Sequence, residues 1–203
     1  MNNKWNDESG PMPAGAPPGP IGMPDISKRS LEEEGIFLFM EPFDDASCKS
    51  AIKFILTHNI QDKPLKKLQL MINSPGGSLH ACFALIDVMK GSRIPIHTIG
   101  LGMIASCGIL TFMSGAKGHR YLTPNTSILS HQYSWGSKGK EHELFAVVRE
   151  FELSTERMIK HYKKCTGMSE KKIREVLLPA EDVWLDAKEA IKYGIADKIK
   201  EVY

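Results

Sequence analysis

The feature that most constrains this chain is an alternation of short apolar runs and helical patterns between residues 35 and 114. The apolar runs are followed by glycine or proline within a few residues, as buried strands often are. The runs cover residues 35–40, 68–72 and 94–100, and the helical patterns cover residues 46–58, 79–90 and 106–114. Such alternation is typical of helical crossovers between parallel strands. The sequence therefore predicts an α/β fold of βα units on a largely parallel sheet.

The overall composition is that of one globular domain. The 203 residues are 42% apolar and 25% charged, so the chain can bury a core of ordinary size. Its 26 Lys and Arg residues nearly balance 24 Asp and Glu residues, which argues against nucleic acid or an anionic membrane as a partner. The sequence contains neither an apolar run of roughly 18 residues nor the apolar core of a signal peptide. We therefore expect a cytoplasmic protein.

The cysteines indicate neither a disulfide framework nor a zinc site. Cys48, Cys82, Cys107 and Cys165 are widely spaced, with no Cys-x-x-Cys pair and no histidines at zinc-ligand spacing. We expect four reduced thiols, no metal and no intrinsic cofactor.

The N-terminal segment differs in composition from the rest of the chain. Residues 10–24 hold six of the twelve prolines together with four glycines. This composition does not sustain helical or ladder hydrogen bonds. We predict a disordered Pro/Gly-rich arm over residues 1–25, with a proline-rich peptide ligand as its alternative role, and one folded domain over residues 26–203.

The stretch of residues 102–108 contains the first candidate for chemistry. Ser106 lies between the predicted strand 94–100 and the predicted helix 106–114. Unpaired N–H groups and the helix dipole favour negative charge at a helix N-terminus, so a serine there suits a nucleophile whose attack creates an oxyanion. The same position also suits a serine that only caps the helix.

A second glycine turn, residues 74–77, lies between a predicted strand and a predicted helix. Its backbone N–H groups are able to bind an anion, and glycine lets a ligand approach closely. The turn lacks the Gly-Lys-Ser/Thr tail of a phosphate-binding loop, so nucleotide binding is unsupported. A simple tight connection is the alternative interpretation.

A serine nucleophile needs a base, and His131 is the best placed of the seven histidines. It follows the short predicted strand 127–129, and parallel sheets place their sites at strand ends. His119 is a competitor in a more polar setting. Lys117 is the candidate for a serine-lysine dyad, which would require a desolvated amine.

The histidine in turn needs an orienting carboxylate. Asp182 lies beside the apolar residues 183–185 and is a plausible choice. Glu181, Asp186 and Asp197 are also compatible with the spacing, so the residues alone leave the acid open.

Five sequence segments occur together in the order and with the gaps found in one enzyme family. They are residues 72–77 (INSPGG), 102–108 (GMIASCG), 115–118 (GAKG), 131–132 (HQ) and 189–197 (EAIKYGIAD). From about residue 27 to the C-terminus, the chain resembles the proteolytic subunits of the Clp protease family.

The resemblance implies the Clp/crotonase fold, with a protruding handle region at about residues 133–164 of a catalytic domain. It implies a serine endopeptidase with Ser106 as nucleophile, His131 as base and Asp182 as orienting acid. It also implies an oxyanion hole formed by the N–H groups of Gly77 and Cys107, which agrees with a glycine turn and a helix start as donors.

The resemblance also implies an assembly. In the family, seven subunits form a ring and two rings enclose a chamber, with the helix matching residues 141–164 meeting its counterpart across the equator. Folded proteins cannot enter the chamber, so unfolded polypeptides are the implied substrates. ATP is used only by a separate ring unfoldase that feeds the chamber.

The chain departs from the family at surfaces that control access. Gln69, Met71 and Gly91 stand where the docking pocket for the unfoldase commonly has aromatic residues, and Tyr121 is the aromatic residue that remains. Glu181 stands where an arginine commonly pairs two rings. With glutamate at that position, a single ring and a double ring are the alternatives.

Several other functions are compatible with the sequence. The altered access surfaces suit a dedicated processing protease, for example in virion assembly. A noncatalytic or acyl-CoA-handling protein of the crotonase fold would use a similar oxyanion hole. A structural ring subunit that regulates an active partner is the remaining alternative.

Overall fold

The computed structural model describes residues 30–201 of the chain. The predicted disordered arm, residues 1–25, lies outside the described residues. Within them the elements follow in the order β1 (Ile36–Phe39), α1 (Asp45–Asn59), β2 (Leu68–Ser74), α2 (Leu79–Gly91), β3 (Ile96–Ala105), α3 (Cys107–Met113), β4 (Arg120–Leu122), β5 (Ser127–Ser130), α4 (Glu141–Thr166), α5 (Glu170–Val176), β6 (Val183–Leu185), α6 (Ala187–Lys192) and β7 (Lys198–Ile199).

The seven strands form one sheet. Strands β1, β2, β3, β4 and β7 are neighbours in this order, and each neighbouring pair is parallel. Strand β5 is parallel to β3, whereas β6 is antiparallel to β5. The predicted α/β fold with a largely parallel sheet is therefore confirmed. The antiparallel β6 lay outside the prediction, because three residues are too few to show a period.

Strand β3 runs further than the predicted strand 94–100 and ends at Ala105. Its first part pairs with β4 and its second part with β5. Between these parts Gly102 has a φ of +54°, and the register with β2 shifts between Ile72 and Ser74. The sheet divides at this point, so the C-terminal ends of β2, β3 and β5 meet at one edge.

Helices α1, α2 and α3 fix the elements on either side of this edge. Asp44 caps α1 and Ser78 caps α2, each through a side-chain oxygen that accepts a backbone N–H. Every residue of α3 is buried. The helix that starts directly after Ser106 therefore has little freedom to move.

Helix α4 has two different halves. Its C-terminal half buries Met158, Ile159 and Tyr162 in the core. Its N-terminal half stands clear of the core, with Phe145 67% exposed and Val148 41% exposed. In the sequence, the apolar residues at positions 144, 147, 148, 151, 158, 159 and 162 follow helical spacing and predict an apolar stripe that is either core or a subunit contact. The structure buries this stripe in the core only in the C-terminal half.

No helix among residues 30–201 is both long enough and apolar enough to cross a membrane.

Candidate active site

The turn after β2 is built around the buried side chain of Ser74. Its hydroxyl donates to the Glu41 carbonyl at 2.6 Å and accepts the Gly76 N–H at 3.2 Å. The Phe43 N–H donates to the Gly76 carbonyl at 2.8 Å, and the Phe43 carbonyl accepts the Ser78 N–H at 2.7 Å. The turn is therefore held on both sides of Gly77.

Ser106 has a backbone conformation that no other non-glycine residue among residues 30–201 shares. Its φ is +54° and its ψ is −115°, a combination that costs an L residue energy and often marks a functional site. Its N–H donates to the Leu129 carbonyl at 2.9 Å. The hydroxyl makes no capping hydrogen bond to α3, so a simple helix-cap role is not what the structure shows.

The backbone N–H groups of Gly77 and Cys107 flank this serine. In the part of the chain that the structure describes, neither N–H donates to an oxygen atom. Gly77 and Cys107 line the same cleft as Ser106. Two donors without oxygen acceptors near a serine hydroxyl are able to stabilise the negative charge of a tetrahedral intermediate.

His131 lies in the same cleft, which has a volume of about 240 Å³. The preceding residue, Ser130, is fixed by a hydrogen bond from its hydroxyl to the Leu177 carbonyl at 2.6 Å and by contact with the Tyr162 hydroxyl at 2.8 Å. The Gln132 side chain donates to the Leu178 carbonyl at 3.1 Å. Both neighbours of His131 are thus anchored to the segment after α5.

Asp182 directly precedes β6, and His131 directly follows β5. Ile128, Leu129 and Ser130 of β5 pair with Leu185, Trp184 and Val183 of β6. The next step of this antiparallel register sets residue 131 opposite residue 182. Asp182 does not line the cleft.

The three side chains do not form a relay in the isolated chain. Among residues 30–201, no hydrogen bond joins the Ser106 hydroxyl, the His131 ring and the Asp182 carboxylate. Catalytic hydrogen bonds are often long in enzymes without substrate. The positions of the backbone segments, rather than side-chain hydrogen bonds, therefore define the candidate site.

The chain matches the Clp protease family over residues 22–202. The chain belongs to the Clp protease family. Membership of this family identifies the chain as a hydrolase, namely a serine peptidase.

Curated relatives align with this chain over most of their length. The ATP-dependent Clp protease proteolytic subunit of Streptococcus mutans is 36% identical over 182 residues, covering 87% of this chain and 89% of the relative. The subunit of the same name from Streptococcus uberis is 36% identical over 179 residues, with the same two shares. That of Lactococcus lactis subsp. lactis is 34% identical, covering 87% and 88%.

The structure of this Clp protease family member separates the alternative bases from the cleft. The His119 ring stacks on His97 with their centroids 4.0 Å apart, and both line a different cavity. The Lys117 amine donates to the Cys165 carbonyl at 3.4 Å. Neither His119 nor Lys117 lines the cleft of Ser106.

The alternative acids have other partners or positions. The Asp197 carboxylate forms an ion pair with buried Arg120 at 2.7 Å. Asp186 accepts the Glu189 N–H at 2.8 Å and caps α6. Glu181 lies one residue further from β6 than Asp182, so it is not the residue that the register sets opposite position 131.

The sequence alone does not reveal the roles of three residues at this site. Ser74 and Phe43 position the glycine turn, and Tyr162 lines the cleft. Burial raises the pKa of Tyr162, so its hydroxyl stays protonated and able to hydrogen bond to Ser130. In the sequence, Tyr162 is only one member of the apolar stripe of α4, because periodicity does not distinguish a core residue from a cleft residue.

Among residues 30–201, no group of three or more His, Cys, Asp or Glu side chains is arranged to hold a metal ion.

Proposed function

We propose that this chain is the proteolytic subunit of a self-compartmentalising serine endopeptidase that cleaves unfolded polypeptides to short peptides. Ser106 is the nucleophile, His131 the base and Asp182 the acid that orients it. Gly77 and Cys107 supply the oxyanion hole. The observation that carries the proposal is the strained backbone of Ser106 beside two N–H groups without oxygen acceptors.

In the proposed acylation step, His131 takes the proton of the Ser106 hydroxyl while the oxygen attacks the carbonyl carbon of the scissile peptide bond. The carbonyl oxygen becomes an oxyanion and accepts hydrogen bonds from the Gly77 and Cys107 N–H groups. Protonated His131 then donates its proton to the leaving amine, which departs and leaves an ester on Ser106.

In the proposed deacylation step, water replaces the amine as the attacking group. His131 takes a proton from water, and the hydroxide oxygen attacks the ester carbonyl. Collapse of the second tetrahedral intermediate releases the carboxylic acid, and Ser106 regains its proton from His131. Asp182 stabilises the positively charged ring in both steps.

The side chains must turn toward one another for these steps. The β5–β6 register pairs Ser130 with Val183, the residues next to His131 and Asp182, and the segment of residues 131–140 contains no helix or strand. We infer that substrate or a neighbouring subunit orders this segment and completes the relay.

The lining of the cleft supports an apolar side chain before the scissile bond. Leu79, Leu110 and Met158 line it together with the ring of Tyr162. None of its lining residues is Asp, Glu, Lys or Arg. An apolar side chain would be desolvated there without leaving a charge unpaired.

The exposed apolar residues of α4 support the proposed assembly. Leu144, Phe145 and Val148 are exposed on its N-terminal half, and an exposed apolar patch is typical of a protein interface. We propose a homo-oligomer, namely a heptameric ring that occurs singly or as a stacked pair. The names of the relatives include "ATP-dependent", and for this chain we propose a separate ATP-driven unfoldase and no cofactor of its own.

Labelling with a fluorophosphonate probe, combined with hydrolysis of a fluorogenic peptide, tests the proposed nucleophile. We expect Ser106→Ala to abolish both labelling and hydrolysis. Ser134 lines the same cleft, so Ser134→Ala is the matched control and should retain labelling. Undiminished labelling of Ser106→Ala would contradict the proposal.

A further inference from the structure

A buried pair of thiols lies directly behind the candidate oxyanion hole. The Cys82 sulfur, on α2, is 3.5 Å from the Cys107 carbonyl oxygen and 3.4 Å from the Thr111 hydroxyl. The Cys107 thiol donates to the Gly77 carbonyl at 3.3 Å. The Cys107 thiol thus connects the start of α3 to the glycine turn.

The two thiols differ in their access to small molecules. Cys107 lines the cleft of Ser106, whereas Cys82 is fully buried. A small oxidant that enters the cleft therefore meets Cys107 first. Cys48 is buried in the same apolar core but does not line the cleft.

The thiols also differ in acidity. Hydrogen bonding from the Cys82 thiol is the main cause of a lowered pKa at Cys107, although burial opposes it. Burial is the main cause of a raised pKa at Cys82, and its contact with Cys107 adds to the effect. The thiolate is the reactive form of cysteine, so Cys107 is the more reactive of the two.

We propose that Cys107 and Cys82 are a modification site for hydroperoxides, at which oxidation joins them in a disulfide and switches the peptidase off. The Cys107 thiolate attacks one oxygen of hydrogen peroxide, the O–O bond breaks, and the departing hydroxide takes a proton to become water. Cys107 is now a sulfenic acid. The Cys82 sulfur attacks the Cys107 sulfur, and the sulfenic hydroxide leaves with the proton of the Cys82 thiol as a second water.

The loss of activity follows from the geometry. In the disulfide, the Cys107 sulfur is bonded to Cys82 and has no proton to donate to the Gly77 carbonyl. The connection between the two sides of the oxyanion hole is then lost. Without it, we expect the Gly77 N–H to shift relative to the Cys107 N–H, and a small misplacement at a reacting centre costs on the order of 100-fold in rate. This consequence rests on the proposed function, whereas the disulfide itself does not.

The experiment exposes the full-length protein to hydrogen peroxide, blocks free thiols with N-ethylmaleimide and maps disulfides by mass spectrometry. Peptide hydrolysis is measured on the same samples before and after dithiothreitol. We expect a Cys82–Cys107 cross-link, a loss of activity of about 100-fold at full oxidation, and recovery of both on reduction.

Three variants separate the possible outcomes. Cys82→Ala and Cys82→Ser should show no cross-link to Cys107. If one of these variants misfolds, the other still tests the proposal. Cys48→Ala removes another buried thiol and should behave like the wild type. Absence of the cross-link in the wild type, or a cross-link that leaves hydrolysis unchanged, overturns the proposal. Failure of the fully reduced protein to label at Ser106 would instead overturn the proposed function.

Discussion

Gly76 faces Ser106 so closely that a Cβ on residue 76 would lie 2.6 Å from the Ser106 Cβ and 2.9 Å from the Ala105 carbonyl oxygen. Gly76 also has a φ of +94°, which side chains disfavour. We expect Gly76→Ala to displace Ser106 and to lower kcat/KM about 100-fold, since small misplacements of reacting groups have effects of this size. Hydrolysis of a fluorogenic peptide measures the change.

The control for this substitution is Gly91→Ala. A Cβ there would have no atom within 4 Å, and alanine is a better helix former than glycine. We expect unchanged kcat/KM and no loss of thermal stability. Full activity of Gly76→Ala would show that the close approach to Ser106 does not matter.

Asp182 and its neighbour Glu181 allow a matched test of the orienting acid. We expect Asp182→Asn to lower kcat by about 100-fold or more with little change in KM, because His131 loses the carboxylate that orients it. Glu181→Gln should retain kcat within about twofold, as its position does not face His131. Equal losses in both variants would count against Asp182 as the acid. Steady-state kinetics on a peptide substrate provide both constants.

The ion pair between Arg120 and Asp197 contributes to stability rather than to chemistry. Arg120 is 1% exposed, and Asp197 accepts hydrogen bonds from its side chain and from its backbone N–H. Asp197→Asn leaves a buried guanidinium without its charge partner, and we expect the free energy of unfolding to fall by about 3–5 kcal/mol. Chemical denaturation measures this change.

The exposed pair of Glu170 and Arg174 is the control for the buried pair. Glu170→Gln should change the free energy of unfolding by less than about 1 kcal/mol, because solvent screens such pairs. A similar loss in both variants would show that burial of Arg120 is not decisive.

His161 makes stability depend on pH. Burial is the main cause that lowers its pKa to about 4, and the hydrogen bond to the Leu110 carbonyl at 2.8 Å opposes it. As pH falls below about 6.5, the unfolded chain takes up a proton that the folded chain refuses until about pH 4. Stability therefore falls as pH decreases through this window, by on the order of 2–3 kcal/mol from this group.

The substitution His161→Gln keeps a donor for the Leu110 carbonyl and removes the titration. We expect its free energy of unfolding to fall less than that of the wild type between pH 7 and pH 4.5. Urea denaturation at several pH values below 7 measures both slopes. Identical slopes would mean that His161 does not titrate as its burial predicts.

Phe145 tests the role of the exposed half of α4. We expect Phe145→Asp to shift the protein to smaller assemblies at equal concentration, because a charge in an apolar interface is costly to desolvate. Glu152→Gln, on the same helix and already exposed, should leave the assembly unchanged. Native mass spectrometry gives both masses. An unchanged mass for Phe145→Asp would place the interface elsewhere.

Much of the site was predictable because it depends on local sequence. The alternation between residues 35 and 114 predicted the βα units, and the small residues around Ser106 predicted a strand-to-helix corner. The composition of the turn suggested a close approach, and the contact between Gly76 and Ser106 requires glycine at position 76. The end of β3 was predicted at residue 100, whereas the strand continues through Gly102 to Ala105.

The sequence by itself determined the α/β fold, the corner at Ser106 and the glycine turn, because each depends on periodicity or on conformations available to residues close in the chain. Only the tertiary structure distinguished the candidate carboxylates by their positions. The pairing of β5 with β6 ends at Ser130 and Val183, the neighbours of His131 and Asp182, while Asp197 is paired with Arg120. The two halves of α4 were likewise distinguished only by packing. Contacts between residues some 50 positions apart depend on how the sheet closes, and no local pattern records them.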